Sequence, residues 1–181
     1  MKKVAFVIYD KFEELEAVAP IDILRRAGAD VKVLTLNSAL ETRGRSSIEI
    51  KADARLQDCE SETFDCVAVA GGPGYMEALE SESLLKFISR HAALGKLIAA
   101  ICAAPLILKK AGALEGRRCT SHPSVFGQMG ALAIKEPLVQ DASAITSNGA
   151  GNAVAFGLKI AEVLISKSEA EKVSAAICFG E

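Results

Sequence analysis

The chain has 181 residues, a formal net charge of −2 at pH 7 and no tryptophan, and half of its residues are hydrophobic. This length suits one domain with a sizeable core, so we expect a single domain over residues 1–181. The small net charge gives no electrostatic reason to expect a nucleic-acid partner or an anionic membrane surface. The longest apolar run, Leu97 to Leu108, is too short to cross a bilayer.

Five cysteines are present, and their spacing favours neither a zinc site nor a redox dithiol. They are Cys59, Cys66, Cys102, Cys119 and Cys178. We therefore expect no metal and no other cofactor. The apolar run near the start is too short for a secretion signal, and Asp10 ends it without a small-residue cleavage site. These features predict a reducing compartment and hence a cytoplasmic protein.

The first third of the chain alternates apolar runs with an amphipathic segment. Val4 to Ile8 predicts a strand buried on both faces, and a helix follows from about Glu13 to Arg26. Gly28 provides the stop signal of that helix. Val31 to Leu36 predicts a second strand, and the turn signals within Asn37 to Ala52 predict a short antiparallel hairpin.

The middle of the chain repeats this alternation. Cys66 to Ala70 predicts a strand that leads into Gly71-Gly72-Pro73-Gly74, where the backbone can approach a ligand closely. Ser83 to Ala93 predicts an amphipathic helix, and we expect His91 near its end to face solvent. Leu97 to Ile101 predicts a further buried strand.

The remainder of the chain completes the pattern of an α/β protein. The predicted features are a helix over Leu106 to Ala111, a polar run over Cys119 to Pro123, a strand over Ala144 to Thr146, a buried helix over Ala153 to Ile165, and a final helix capped by Ser168 with Glu171. Strands that alternate with helices predict a mostly parallel, doubly wound sheet. Functional sites in such sheets lie at the carboxyl ends of the strands.

Cys102 lies between a predicted strand and a predicted helix, which makes it the first candidate for chemistry. Unpaired N–H groups and the helix dipole at such a turn favour an anion. We interpret Cys102 as a nucleophile that is a thiolate near neutral pH. The alternative is a buried cysteine that packs as a small hydrophobe.

Four further residues are predicted to meet Cys102 at the same sheet edge. The amides of Gly72 and Ala103 are natural donors to an oxyanion, and Glu16 could remain protonated beside a thiolate and move a proton. His122 ends the polar run without an apparent acidic partner, so a full Cys-His-Asp triad is not supported. The alternatives are that Glu16 simply favours a helix N-terminus and that His122 is structural.

Five segments of the sequence together form a pattern that is highly specific for one protein family. They are Glu13-Glu14-Leu15-Glu16, Leu24-Arg25-Arg26-Ala27-Gly28, Ala70-Gly71-Gly72-Pro73-Gly74, Ala99-Ala100-Ile101-Cys102-Ala103-Ala104-Pro105 and Ser121-His122-Pro123. The pattern resembles the ThiJ/PfpI family over essentially the whole chain, and most of all its Parkinsonism-associated deglycase branch. The resemblance implies a flavodoxin-like fold similar to that of class I glutaminases, and a homodimer. It also implies that Cys102 is the reactive cysteine, Glu16 its protonated partner, His122 the nearby histidine, and Gly72 and Ala103 the oxyanion amides.

Departures from the family's sequence pattern argue against some of the functions found in related proteins. In the intracellular peptidase branch a histidine directly follows the cysteine, whereas this chain has Ala103, which argues against a peptidase. Class I glutaminases carry a late His-x-Glu, and no histidine follows His122. The deglycase branch has glycine where Ala104 stands and often an arginine that reaches the partner subunit's site. Arg45 is the nearest candidate for that arginine.

The resemblance implies a cofactor-free enzyme that acts on small dicarbonyls or early glycation adducts, as a glutathione-independent glyoxalase or deglycase. Cys102 would add to the aldehyde as a hemithioacetal, and Glu16 would move the proton. The alternative is an oxidative-stress sensor or redox-regulated chaperone that uses the same cysteine, because a protonated carboxyl can hydrogen-bond a sulfinate. A cysteine peptidase is a third and weaker candidate.

Overall fold

The computed structural model describes residues 1–180, so residue 181 of the expected domain lies outside the described residues. In chain order, strands β1 to β9 cover Lys3–Ile8, Asp30–Thr35, Glu41–Arg43, Glu49–Lys51, Ala54–Arg55, Cys66–Val69, Leu97–Ile101, Leu138–Asp141 and Ala144–Ser147. Helices α1 to α7 cover Glu14–Arg26, Tyr75–Ala78, Glu82–Ala93, Pro105–Lys110, Pro123–Phe126, Ala153–Leu164 and Lys167–Ala176.

A mostly parallel sheet of seven strands forms the centre of the structure, in the order β5-β2-β1-β6-β7-β9-β8. Only the edge pair β8–β9 is antiparallel, and β3 and β4 form the separate antiparallel hairpin that the sequence predicts. β6 and β7 are buried along their whole length, as continuous apolar runs in a covered parallel sheet require. The α/β, flavodoxin-like fold class is therefore confirmed.

The order of the strands places a crevice between β1 and β6. From β1 the chain passes through α1 to β2 on one side, whereas from β6 it passes through α3 to β7 on the other. Right-handed crossovers in opposite directions place α1 and α3 on opposite faces of the sheet. The strand order reverses between β1 and β6, and ligands of such sheets bind outside the carboxyl ends of the strands at this point.

The first helix is held in place by close packing against α6. α1 continues without a break through Pro20, although proline removes one backbone donor. A Cβ atom added at Gly157 of α6 would lie 2.9 Å from the Cα of Pro20. Glycine at position 157 therefore lets the two helices approach closely, and this contact fixes the helix that carries Glu16.

Two sequence-based expectations are wrong. His91 does not face solvent: it is fully buried, its Nε2 accepts from the Phe64 amide at 3.1 Å, and burial lowers its pKa. The last helix begins after Ser166 rather than at Ser168, because the Ser166 hydroxyl accepts from the Glu169 amide. Each error has a physical cause, since a histidine can satisfy both ring nitrogens in a core and several serines compete to be a cap.

Several short elements were not predicted, because they are too brief to show a period. The edge strand β8 has four residues with a mixed burial pattern, and α2 and α5 have four residues each. No helix within residues 1–180 combines the length and the apolar character needed to cross a membrane.

Candidate active site

Cys102 occupies a strained turn between β7 and α4. Its φ is +65°, a left-handed conformation that is uncommon for a residue with a side chain. Its amide donates to the carbonyl of Ser147 at 2.9 Å, and its carbonyl accepts from the amide of His122 at 2.7 Å. Two neighbouring segments thus hold the turn, and backbone strain of this kind is concentrated at functional sites.

Two backbone amides are directed at the Cys102 sulfur, those of Gly72 and Ala103. Gly72 has a φ of +103°, and a Cβ atom there would lie 2.4 Å from the amide nitrogen of Glu13 and 2.5 Å from the carbonyl oxygen of Lys11. Only glycine fits this position, because the obstructing atoms belong to the backbone. The arrangement provides the pair of fixed donors that an oxyanion requires.

Glu16 projects from the first turns of α1 to the same sulfur. Its side chain is buried, with 1% relative exposure, and it shares a hydrogen bond with the Cys102 side chain. The second partner is the amide of Gly71, which donates to Oε2 at 3.0 Å. A Cβ atom at Gly71 would lie 2.5 Å from Oε2 and 2.6 Å from the Cβ of Cys102, so the missing side chain makes room for this contact.

Protonation of the pair differs from the predicted free thiolate. Burial raises the pKa of Glu16 to about 7, against the hydrogen bonds from Cys102 and Gly71. Burial and the Glu16 carboxylate together raise the pKa of Cys102 to about 12, although the amides of Gly72 and Ala103 lower it. The sulfur lies partly buried beside a carboxyl group rather than at an open helix end. Between these two values the pair holds one proton, shared between sulfur and carboxylate.

Tyr9 lies near this pair and was not identified from the sequence. It is buried, and its hydroxyl donates to the carbonyl of Ala70 at 2.5 Å. Burial, followed by the charges of Glu16 and Cys102, raises its pKa well above the usual value, which keeps the phenol neutral. In the sequence Tyr9 only extends the apolar run of β1, so no separate signal marks it.

His122 lies at the N-terminus of α5. Its Nδ1 accepts from the amide of Ser124 at 3.2 Å and lies 2.8 Å from the Ser124 hydroxyl. The backbone amide of His122 donates a hydrogen bond to the carbonyl oxygen of Cys102. His122 therefore contributes both to the turn at Cys102 and to the wall of the site.

These residues surround one cavity of about 240 Å³. All five predicted site residues line it, together with the candidate Arg45 and with Glu13, Pro73, Tyr75, Ser124 and Ala150, which were not predicted as site residues. Tyr75 and Ser124 lie on four-residue helices that show no pattern, which explains their omission. Four larger cavities, of about 260, 340, 360 and 390 Å³, have no cysteine in their walls. Within residues 1–180 no group of three histidine, cysteine, aspartate or glutamate side chains is arranged to hold a metal ion.

Arg45 reaches this cavity from the β3–β4 hairpin of its own chain. Its Nη1 lies 3.1 Å from Oε2 of Glu13. The hairpin is fixed there because the amide of Arg45 donates to the carbonyl of Phe12 and the amide of Ser46 donates to Glu14. A half-exposed guanidinium thus forms part of the cavity wall.

The chain is an α/β protein in which the strand order of a parallel sheet reverses between β1 and β6. A cysteine on a strained turn lies at the carboxyl edge of this sheet. Residues 2–163 match the model of the DJ-1/PfpI family. The chain is 38% identical over 179 residues to protein dj-1beta of Drosophila melanogaster and covers 96% of it, with 96% of this chain included. The chain therefore belongs to the DJ-1/PfpI family.

Further comparisons agree with this assignment. The chain is 31% identical over 173 residues to a glutathione-independent glyoxalase, DJR-1.2, of Caenorhabditis elegans, covering 93% of this chain and 91% of the relative. Among solved structures, oxidized DJ-1 of Toxoplasma gondii superimposes with a TM-score of 0.97 at 35% identity, with 100% of both chains covered. The relatives of this chain thus include a glutathione-independent glyoxalase.

Proposed function

We propose that this protein is a cofactor-free, cysteine-dependent enzyme that acts on reactive 1,2-dicarbonyls or their early glycation adducts. The observation that carries the proposal is the Cys102 sulfur, which faces two backbone N–H donors and the Glu16 carboxyl within a cavity of about 240 Å³. The similarity to a glutathione-independent glyoxalase supports it. Five free cysteines fit a reducing compartment, and we include a cytoplasmic location in the proposal.

The first step forms a bond between sulfur and the aldehyde carbon. The thiol proton of Cys102 passes to Glu16 as the sulfur attacks, and the aldehyde oxygen gains negative charge. The amides of Gly72 and Ala103 stabilise this charge, and protonation of the oxygen completes the hemithioacetal. A carboxyl group with a pKa of about 7 is well suited to accept and return a proton at neutral pH.

The second step is an internal oxidation and reduction that needs no external electron acceptor. Glu16 removes the proton from the carbon bonded to sulfur, the neighbouring ketone carbon gains a proton, and a lactoyl thioester of Cys102 results from methylglyoxal. Water then attacks the thioester, releasing lactate and restoring the thiol. The dicarbonyl and one water enter, and one lactic acid leaves.

The pH dependence of kcat/KM follows from the shared proton. We expect kcat/KM to rise with pH through a midpoint of about 7 and then to reach a plateau, because loss of the first proton from the pair creates the reactive form. The second proton leaves only near the Cys102 pKa of about 12. Initial rates at low substrate concentration across this range would measure the profile. A rate that falls as the pH rises through neutrality would contradict the shared-proton mechanism.

The proposed function is tested by direct detection of lactate formed from methylglyoxal in buffer without glutathione. Disappearance of methylglyoxal is not sufficient, because any thiol traps it reversibly. We expect sustained lactate formation by the wild-type protein. A correctly folded protein that forms no lactate from methylglyoxal would rule out the proposed activity.

The sensor function is a second candidate, because Cys102 is the only cysteine of the cavity and Glu16 could hydrogen-bond an oxidised sulfur. The two backbone amides beside the sulfur place it second, because oxyanion donors would have little purpose in a sensor. Intact-mass analysis and peptide mapping after peroxide treatment would test it. A Cys102 that oxidises no faster than the buried Cys59 and Cys66 would reject the sensor.

We also propose a homodimer, as the family resemblance implies, and we place its interface on α1 and the β3–β4 hairpin. Leu15, Val18 and Ile48 expose large apolar side chains there, with relative exposures of 60%, 49% and 57%. We expect a dimer by light scattering and a monomer for Val18→Asp, because burial of a carboxylate opposes association. Val163→Asp on α6 is the matched control. A wild-type monomer at micromolar concentration, or dissociation by the control, would contradict this interface.

A further inference from the structure

We propose that Ser124 is a positioning residue that holds His122 in the tautomer with the proton on Nε2, so that the imidazole donates to the second oxygen of a 1,2-dicarbonyl. Only the donation from His122 to a dicarbonyl oxygen rests on the proposed function. The tautomer itself depends on the hydrogen bonds of the protein. Ser124 lies on the exposed side of α5, outside every motif that the sequence analysis identified.

The tautomer follows from the kinds of group that face Nδ1 of His122. A backbone amide can only donate, and the Ser124 amide donates to Nδ1 at 3.2 Å. Nδ1 therefore carries a lone pair, and the Ser124 hydroxyl, 2.8 Å away, donates to it as well. The single proton of the neutral ring is thus on Nε2, which has no hydrogen-bond partner within residues 1–180.

The chain contains an internal contrast, because its other histidine takes the opposite tautomer. The Phe64 amide donates to Nε2 of His91, and Nδ1 of His91 lies 2.8 Å from the carbonyl oxygen of Phe87. A carbonyl can only accept, so the proton of His91 is on Nδ1. The chain has two histidines, so the tautomer of each can be compared with that of the other.

A donor at Nε2 fits what a dicarbonyl requires of this cavity. The Gly72 and Ala103 amides serve the oxygen of the carbon that Cys102 attacks. When a proton leaves that carbon, negative charge spreads to the oxygen of the neighbouring carbon. His122 lines the same cavity and supplies a neutral N–H to this second oxygen. In the other tautomer Nε2 would carry a lone pair, which would repel the developing negative charge.

The tautomers can be observed directly by nitrogen-15 NMR of the two histidine rings at about pH 8.5, where imidazoles are neutral. We expect His122 to be protonated on Nε2 and His91 on Nδ1. Ser124→Ala should leave His91 unchanged and introduce a population of the other His122 tautomer, and Ser124→Thr should restore the single form. A wild-type His122 protonated on Nδ1, or a Ser124→Ala spectrum identical to the wild type, would overturn the inference.

A double-mutant cycle in the lactate assay tests whether Ser124 acts through His122. We expect Ser124→Ala to lower kcat about five- to tenfold with little change in KM, as loss of one hydrogen bond allows, and Ser124→Thr to recover it. In a His122→Gln background, whose amide donates without a tautomer, Ser124→Ala should have no further effect. An equal loss in both backgrounds would show that Ser124 does not work through His122. Absence of lactate in the wild type would reject the proposed function, whereas the NMR experiment would still decide the tautomer.

Discussion

Replacement of Cys102 by serine is expected to reduce lactate formation from methylglyoxal at least about a thousandfold. The hydroxyl has nearly the shape of the thiol, so the turn and the hydrogen bonds around it should persist. A hydroxyl is a far weaker nucleophile, because Glu16 with a pKa of about 7 cannot remove its proton effectively. Initial rates of lactate formation without glutathione would measure the loss.

Cys178→Ser provides the matched control for this substitution. Cys178 is exposed and lies outside the cavity, so its replacement should leave the rate unchanged. Near-identical thermal unfolding of the two variants would show that the loss is chemical. Lactate formation by Cys102→Ser at a rate close to that of the wild type would contradict the role of Cys102.

Glu16→Gln should lower the rate about a hundredfold or more, because the amide cannot accept the proton of the thiol. The rise in kcat/KM near pH 7 should disappear with it, since Glu16 is the group that titrates there. The Gln side chain still accepts from the Gly71 amide, so the geometry of the site is retained. An unchanged pH profile would show that another group carries the proton.

The same substitution should make the protein more stable at alkaline pH. The pKa of Glu16 rises from 4.5 to about 7 on folding, so ionisation opposes the folded state as the pH rises through this interval. At about pH 8 this penalty is about 3 kcal/mol, and Glu16→Gln removes it. Below about pH 4.5 the carboxyl is protonated in both states, and the difference should vanish.

Urea unfolding of both proteins at about pH 5 and pH 8 would measure this difference. Glu162→Gln on α6 is the matched control, because it changes a glutamate outside the site. It should keep the pH dependence of the wild type. A Glu16→Gln variant that is less stable than the wild type at about pH 8 would contradict the buried, costly carboxylate.

The sequence predicted the fold and the meeting of the candidate residues at one edge of the sheet for physical reasons. Continuous apolar runs such as Val4 to Ile8 are typical of strands covered on both faces, and their alternation with helices restricts the topology. That topology brings the ends of several strands to one edge, which is why Cys102, Gly72 and His122 could be expected together. Glu16 follows because it lies in the first turns of the helix after β1.

What the sequence could not predict depends on contacts between segments far apart in the chain. The pKa of Cys102 is set by its burial and by Glu16, whereas the local turn suggested only a low value. His91 is buried because the Phe64 amide, outside its own helix, satisfies its ring. Ser124 and Tyr9 reach the site through short or apolar segments whose residues carry no distinctive pattern.

In the proposed mechanism Cys102 carries the substrate as a covalent acyl group, which rapid acid quenching would detect. Wild-type protein would be mixed with methylglyoxal, quenched during turnover, desalted and analysed by intact mass and peptide mapping. A hemithioacetal dissociates during this treatment, whereas a lactoyl thioester survives it. We predict one acyl group on Cys102 in the wild type and none in Cys102→Ser. Lactate formation with no acyl group on Cys102 at any time of quenching would contradict the mechanism.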